Sequence, residues 1–285
     1  MLNVATILSA IVCDQARADF RALYASENQA LVALVTSTID EAFTSLASSD
    51  ALYHNVEHTS HVTLVGLEIL KAKQLSESSV SAATWTNVVI ALVCHDIGYV
   101  RQLDAQDCRA KVTTGIDGQP LEVAVGSSDA VLMPVHVNRG KRYVEQILLS
   151  SNLADIGVIN ACIERTRFPV PDDAWYAQTD DFPGLVRAAD LIGQLSDPRY
   201  LHKLPAIFYE FEETGFNRIT GYQCPGDLLL GYPAFYANSV VPYIDAATEY
   251  LKLSVQGQDI LAHLEANLTT AREAVAAPLS LASGS

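Results

Sequence analysis

Residues able to bind a metal ion are concentrated in two short segments. Residues 53–62 read Tyr-His-Asn-Val-Glu-His-Thr-Ser-His-Val, and residues 94–99 read Cys-His-Asp-Ile-Gly-Tyr. In a helix, His54, His58 and His61 have the spacing i, i+4 and i+7, so they project from one face and can converge on one ion. The second segment adds an imidazole and a carboxylate. Divalent transition metals bind such ligands well, so the two segments predict a metal site.

The apolar residues around these segments have helical spacing. Between residues 3 and 49 they recur every three or four positions without a proline, which predicts two helices. After a turn at residues 48–50, a further helix is expected to carry the histidine segment and to end at about Lys73. The apolar run over residues 88–93 fits a buried strand or a buried helix by itself, and its context favours a helix.

The second half of the chain shows no alternation typical of strands. Helical spacing predicts helices over residues 137–149, 156–165 and 185–195. Residues 104–134 have no clear period and contain turn residues, so we expect a long loop, of the kind that often forms a lid or binding segment. The chain becomes rich in aromatic residues after Pro198. Taken together, these patterns predict an all-α protein.

The composition predicts a globular protein with a large core. The chain has 285 residues, of which 49% are hydrophobic and 18% charged. No linker rich in proline, glycine or serine divides it, so we expect a single domain over residues 1–285. The motifs place the functional core at about residues 50–200, followed by an aromatic-rich helical extension at about residues 201–275.

Charge and cysteine content restrict the partners and the compartment. The formal net charge of -15 argues against binding of extended nucleic acid, but it allows a small anionic substrate and a homo-oligomer. The five cysteines never form a Cys-x-x-Cys pair, which favours reduced thiols and a cytoplasmic location. No apolar run approaches the roughly 20 residues that span a bilayer, so we expect no membrane partner.

The order of the metal-binding residues resembles that of the HD superfamily of metal-dependent phosphohydrolases. It comprises a histidine, a His-Asp pair at residues 95–96, and a later aspartate, Asp190. Residues 53–58 are similar to the Tyr-His-Asn-x-x-His segment of class I cyclic-nucleotide phosphodiesterases. The resemblance spans roughly residues 50–200. It implies an HD-domain helical bundle, here with a C-terminal helical elaboration, and a phosphodiesterase-like hydrolase.

The resemblance also implies a ligand set for two divalent metal ions. His58, His95, Asp96 and Asp190 would bind one ion, with Asp96 bridging to a second. His136 resembles an additional histidine of many HD proteins and is a candidate ligand of the second ion. Manganese, magnesium, zinc, iron and nickel are all candidates for such a site. A hydroxide shared between the two ions would attack phosphorus, with Asp96 essential to the reaction.

His54 corresponds to the phosphodiesterase histidine that protonates the leaving oxygen, so the resemblance assigns it the role of general acid. Glu57 and Glu164 are candidates for the carboxylate that orients this imidazole. Further candidates for contacts with the metal ligands or the substrate are His61, Arg139 and Gln194.

Plainer interpretations of single residues stay open. Asp190 could pair with Arg187 instead of a metal ion, and Arg139 could pair with a carboxylate instead of a phosphate. His61 stands where the cyclic-nucleotide enzymes carry an aspartate, so the surroundings of the metal differ from theirs.

The expected function is hydrolysis of a phosphodiester or phosphomonoester in a small phosphorylated compound, with nucleotides as the leading substrate class. A mixed-valent di-iron oxygenase is one alternative, because some HD-fold proteins use the same scaffold with extra histidines, and His61 and His136 are available here. A non-catalytic nucleotide or metal sensor is the other alternative.

Overall fold

A computed structural model describes residues 3–24, 28–108, 110–116 and 119–276 of the chain. The described residues are predominantly helical, which confirms the all-α prediction. The helices of the first part are α1 (Val4–Tyr24), α2 (Gln29–Leu46), α3 (Val56–Glu77), α4 (Ala82–Cys94), α5 (His136–Leu148), α6 (Ile156–Arg165) and α7 (Phe182–Leu195).

The aromatic-rich region after Pro198 is helical as well. Its elements are α8 (Tyr200–Thr214), α9 (Phe216–Thr220), α10 (Pro225–Phe235), a π-helical turn (Tyr236–Val240), α11 (Val241–Leu251) and α12 (Val255–Ala276). Helix α11 contacts α3 and α7, and α12 contacts α3, α7 and α10. No helix in the described part of the chain is long and apolar enough to cross a membrane.

The predicted loop over residues 104–134 has more structure than its sequence indicates. It contains a short antiparallel hairpin, β1 (Lys111–Thr113) and β2 (Pro120–Glu122), and a 3-10 turn (Asp129–Leu132). Three-residue strands are too short for an alternating pattern to be visible, which explains why the sequence did not predict them. The sequence after Ala274 is a short tail rich in alanine and serine, and its part beyond Ala276 lies outside the described residues.

The helix predicted to carry the histidine segment, α3, begins later than predicted, at Val56. Asn55 is its N-cap, because its side-chain oxygen accepts hydrogen bonds from the backbone N–H groups of Glu57, at 2.9 Å, and His58, at 3.4 Å. His54 therefore precedes α3 and does not share a helical face with His58. The predicted i, i+4, i+7 arrangement of three histidines is wrong for this reason.

Helix α4 is the most deeply buried element. Every residue from Trp85 to Cys94 is buried, in agreement with the predicted buried helix. Because the surrounding helices cover it on all sides, the chain that leaves it at His95 and Asp96 emerges inside the protein. Burial of about ten side chains gives this segment little freedom to move, so it is a rigid support for the two residues that follow.

A close contact between α3 and α7 sets the distance between two further site residues. A Cβ atom on Gly193 would lie 2.8 Å from Cα of Val62, a separation that only glycine permits. His58 lies one turn before Val62, and Asp190 lies about one turn before Gly193. The close helix packing therefore brings an imidazole and a carboxylate together.

Candidate metal centre

Four side chains from three helical segments converge in the interior. His58 comes from the first turn of α3, His95 and Asp96 from the end of α4, and Asp190 from α7. Nε2 of His58 lies 3.2 Å from Oδ2 of Asp96, 3.4 Å from Oδ1 of Asp190 and 3.4 Å from Nε2 of His95. Nε2 of His95 lies 3.2 Å from Asp96 and 3.5 Å from Asp190.

These separations suit a metal ion. With metal–ligand bonds of about 2.1 Å, neighbouring ligand atoms lie about 3.0 Å apart in an octahedron and about 3.4 Å apart in a tetrahedron. Potential ligand atoms of His58, His95 and Asp190 all lie within 4.8 Å of one another. The cluster could therefore hold a divalent cation with small adjustments.

The hydrogen bonds of the imidazoles support the same interpretation. Nδ1 of His95 donates to the carbonyl oxygen of Leu92 at 2.7 Å, which leaves the Nε2 lone pair directed toward the cluster when the ring is neutral. A backbone acceptor behind a histidine is a common way to orient a metal ligand. Oδ2 of Asp96 is buried and has no hydrogen-bond donor in the described part of the chain, although imidazoles face it.

Charge in the cluster is dominated by the two carboxylates. Burial raises the pKa of Asp96 and of Asp190, but the neighbouring His95 and His58 outweigh burial and hold both values below the usual range. Burial lowers the pKa of His95, and the same two carboxylates outweigh it and raise that pKa. With neutral imidazoles the site carries two negative charges, which favours binding of a cation.

His136 lies on the other side of Asp96. Its Nε2 is 3.7 Å from Oδ1 of Asp96, whereas Oδ2 of the same carboxylate faces His58 and His95. Nδ1 of His136 bonds to the carbonyl oxygen of Met133 at 2.6 Å, and burial lowers the pKa of the ring. A carboxylate with imidazoles at both oxygens has the arrangement required to bridge two cations.

Gly98 allows this approach of His136. A Cβ atom at residue 98 would lie 1.9 Å from the carbonyl oxygen of His136, so the backbone after the His-Asp pair is in direct contact with the start of α5. Any other residue would push α5 away from Asp96. The glycine in the Cys-His-Asp-Ile-Gly-Tyr segment therefore has a positional role.

His54 forms a close pair with Glu210 of α8. Its Nδ1 lies 2.5 Å from Oε2 of Glu210, and Oε1 accepts hydrogen bonds from the backbone N–H groups of Tyr53, at 2.7 Å, and of His54, at 3.2 Å. Burial lowers the pKa of His54, but the charge and hydrogen bond of Glu210 outweigh it and raise that pKa to about 9. The carboxylate of Glu210 therefore favours the protonated imidazole.

The prediction that Glu57 or Glu164 orients His54 is wrong. Glu57 lies 3.0 Å from Nζ of Lys203. Glu164 accepts from Lys141, Arg167 and Tyr176. Both carboxylates are held by other donors, and Glu210 takes the predicted role.

Glu210 was not recognised in the sequence because it is 156 residues from His54. Its position three residues after the buried Ile207 puts an acidic residue on the buried face of α8. An acid on an apolar helix face is the signal that could have identified it.

Tyr99 lies between the two imidazoles next to the cluster. Its ring stacks on His54 with centroids 4.6 Å apart and an interplanar angle of 7°, and on His136 at 4.6 Å and 23°. The phenol ring thus restricts the orientation of both histidines. The sequence placed Tyr99 in the motif without assigning it a role.

His61 does not join the cluster. Its Nε2 lies 3.9 Å from Oδ1 of Asp197. Glu57 lies close to both residues, and potential ligand atoms of the three side chains are within 4.8 Å of one another. Lys203 already places its ammonium group 2.5 Å from Asp197 and 3.0 Å from Glu57. The positive charge at these carboxylates therefore comes from a lysine.

Arg139 has a structural role instead of a phosphate contact. Its buried guanidinium donates to Asp107 at 2.9 Å and to the carbonyl oxygens of Gly98, at 2.8 Å, and Val100, at 2.6 Å. These bonds fix the backbone immediately after the His-Asp pair. Of the two open interpretations, pairing with a carboxylate is correct.

Arg187 does not bind Asp190. Its guanidinium donates to the carbonyl oxygens of Tyr176, at 2.7 Å, and Gln178, at 3.2 Å, which leaves Asp190 to the two histidines. Gln194, one turn further along α7, donates to the hydroxyl of Tyr200 at 3.5 Å.

A cavity of about 470 Å³ adjoins the cluster. Its wall includes His54, Asp96, His136 and Asp190 on the side of the cluster, and Gln194 further along. The volume lies within the range of small-molecule binding sites in proteins. The cluster is thus open to a compound of that size.

The fold and the cluster define an all-α protein with a histidine–aspartate centre suited to metal ions. The family model of the Npun_R2479-like proteins matches residues 2–274, and the chain belongs to this family. No curated protein matches the chain at a significant level.

Proposed function

We propose that the protein is a metal-dependent phosphohydrolase of the HD type. The observation that carries the proposal is the position of His54, held by Glu210, beside the cluster of His58, His95, Asp96 and Asp190. His54, Asp96 and Asp190 line the same cavity. Phosphoryl transfer needs positive charge at the phosphate oxygens and a proton for the leaving oxygen. A cation bound at the cluster could supply the positive charge, and the His54–Glu210 pair could supply the proton.

Bound divalent cations would neutralise charge on the phosphate and lower the pKa of a bound water. The side chains of the protein would hold these cations. His58, His95, Asp96 and Asp190 would hold one ion, and His136 is the candidate ligand of a second. Manganese, magnesium, zinc, iron or nickel suits this donor set.

His54 acts as the general acid. Glu210 accepts a hydrogen bond from Nδ1, so the ring is held in one orientation with Nε2 left for the substrate. With a pKa of about 9, the ring carries the proton that the leaving oxygen requires at neutral pH. Stacking on Tyr99 limits rotation of the ring away from this position.

The substrate is a small phosphorylated compound, and the resemblance of residues 53–58 to cyclic-nucleotide phosphodiesterases makes nucleotides the first class to test. The cavity volume of about 470 Å³ supports a small molecule, and the net charge of -15 disfavours extended nucleic acid. A cytoplasmic location is proposed from the five scattered cysteines.

A di-iron oxygenase is the second candidate, because His136 faces Asp96 at 3.7 Å and could complete a two-metal site for either chemistry. Its other expected feature, His61, points to Asp197. Purified protein with two irons and a visible absorbance that changes with oxygen would favour the oxygenase.

Product analysis tests the hydrolase. Manganese-loaded protein is incubated with cyclic nucleotides, dinucleotides and nucleoside phosphates, and products are separated by chromatography. Products from wild type and none from Asp96→Asn are expected. Tight nucleotide binding without turnover would favour a sensor instead.

A further inference from the structure

The cavity beside the cluster extends into the C-terminal helices and becomes apolar there. We call the part bounded by α8, α10 and the π-helical turn the chamber. Its wall is formed mainly by aromatic and aliphatic side chains, which include Phe168, Leu191, Phe211, Phe216, Leu228 and Phe235. An accessible apolar cavity is unfavourable in water, so it indicates binding of an apolar group.

Two pairs of aromatic rings contribute to the wall. Phe168, from the segment after α6, meets Phe235 of α10 edge-on with centroids 6.1 Å apart. Phe211 and Phe216 meet at 4.7 Å. All four rings are partly exposed, although rings of this size are normally covered when they serve only the core.

The cations of the wall are already engaged. Arg167 donates to Glu164 and to Asn138, both at 2.9 Å. Arg187 donates to the carbonyl oxygen of Tyr176 at 2.7 Å, and its guanidinium carbon lies 3.9 Å from the ring centroid of Tyr243. Within the described residues, no lysine lines the cavity.

Away from the metal cluster, the remaining polar groups of the wall are uncharged. They include the side chains of Gln194, Asn238 and Ser239, the last two supplied by the π-helical turn. A chain of phosphates needs several cationic or strongly donating groups to balance its charge. In this cavity, only the metal cluster could balance the negative charge of a phosphate.

We propose that the substrate is an ester of a single phosphate whose alcohol part is a large apolar group, alkyl or aryl, held in the chamber. This rests on the proposed hydrolase function. The phosphate lies at the metal cluster, and the apolar group extends toward Leu228 and Phe216. Polyphosphates are excluded, because their additional charges would lie against aromatic walls.

Binding calorimetry with phosphonates tests the proposal without turnover. Manganese-loaded protein is titrated with methylphosphonate and with octylphosphonate. Each methylene group that becomes buried strengthens binding roughly threefold to fourfold, so octylphosphonate is expected to bind at least about 30-fold more tightly.

Leu228→Asp and Leu230→Asp form a matched pair of variants on α10. Leu228 lines the chamber, whereas Leu230 is 49% exposed and does not. Leu228→Asp is expected to remove most of the octyl preference, measured as the ratio of the two phosphonate affinities, because a carboxylate in the chamber opposes an alkyl chain. Leu230→Asp is expected to behave like wild type, and circular dichroism checks that both variants are folded.

Equal affinity for the two phosphonates, no binding of either, or tighter binding of adenosine monophosphate than of octylphosphonate would overturn the proposal. Hydrolysis of the methyl and octyl esters of p-nitrophenyl phosphate is measured separately. An octyl preference in binding without any hydrolysis would overturn the hydrolase and support the apolar ligand. Hydrolysis of both esters at equal efficiency, with equal phosphonate affinity, would support the hydrolase and overturn the apolar substrate.

Discussion

Nδ1 of His54 and Oε2 of Glu210 lie 2.5 Å apart, although the residues are 156 positions apart in the chain. The pair joins the motif-bearing segment to α8, in the aromatic-rich region after Pro198. The C-terminal helices therefore contribute the carboxylate that holds His54 as well as the chamber walls.

Glu210→Gln is expected to reduce kcat about 10²- to 10⁴-fold, the usual contribution of a positioned general acid. The amide has the same size as the carboxylate, but it carries no negative charge to favour the protonated imidazole of His54 and holds the ring less firmly. Metal content is expected to stay at the wild-type level, because Glu210 bonds to His54 and not to the cluster. Steady-state kinetics and elemental analysis measure the two quantities.

Glu57→Gln is the control for this variant, since Glu57 pairs with Lys203. Comparable loss of kcat in both variants would contradict the role assigned to Glu210.

His58→Ala is expected to weaken manganese binding by at least about 100-fold, because it removes one of the few donors that face the cation. His61→Ala is expected to bind manganese like wild type, since its imidazole faces Asp197. Titration calorimetry of the metal measures both affinities. An equal loss in the two variants would place the metal elsewhere on α3.

Arg139→Met is expected to destabilise the fold by about 3–5 kcal/mol, because it leaves the buried carboxylate of Asp107 without its cation. Urea unfolding followed by circular dichroism measures the change in the free energy of unfolding. Arg17→Met is the control, because its ion pair with Asp14 is exposed and should contribute little. A loss below about 1 kcal/mol for Arg139→Met would show that its bonds do not anchor this segment.

Glu164 is expected to make stability depend on acid pH. Burial raises its pKa, but Arg167, Lys141 and Tyr176 outweigh burial and lower that pKa from 4.5 to about 2. Because the folded state holds the carboxylate charged, its contribution is fully present above pH 4.5 and is lost as pH falls toward 2. Glu164→Gln should therefore flatten the decline of the unfolding free energy in this window.

Denaturant unfolding at several pH values between 2 and 6 measures that slope. Glu273→Gln, on an exposed part of α12, is expected to leave it unchanged. The same slope for Glu164→Gln and wild type would show that Glu164 is not the group responsible.

The sequence was most informative where the signal is local. The apolar run before His95 fitted a buried strand or a buried helix, and its helical context correctly favoured the helix. The spacing around Ile156 predicted α6 at its observed bounds. The start of α3 was misplaced because Asn55 adopts an extended backbone conformation and acts as N-cap, and periodicity alone does not reveal which polar residue does this.

Contacts between distant segments were beyond sequence reasoning. Glu57, Glu164 and Glu210 are all acidic residues that could partner His54 as far as the sequence shows. The packing of α8 against the loop at Tyr53 brings only Glu210 to the imidazole. The location of Lys203 between two carboxylates likewise depends on tertiary packing.

The most direct test of the central claim combines product formation with metal content in wild type, Asp96→Asn and His54→Ala. The account predicts that Asp96→Asn loses both metal and hydrolysis, because Oδ2 of Asp96 faces both His58 and His95 at 3.2 Å. It predicts that His54→Ala loses hydrolysis and retains metal, because its partner is Glu210. Wild-type hydrolysis by Asp96→Asn at unchanged metal content would contradict the account.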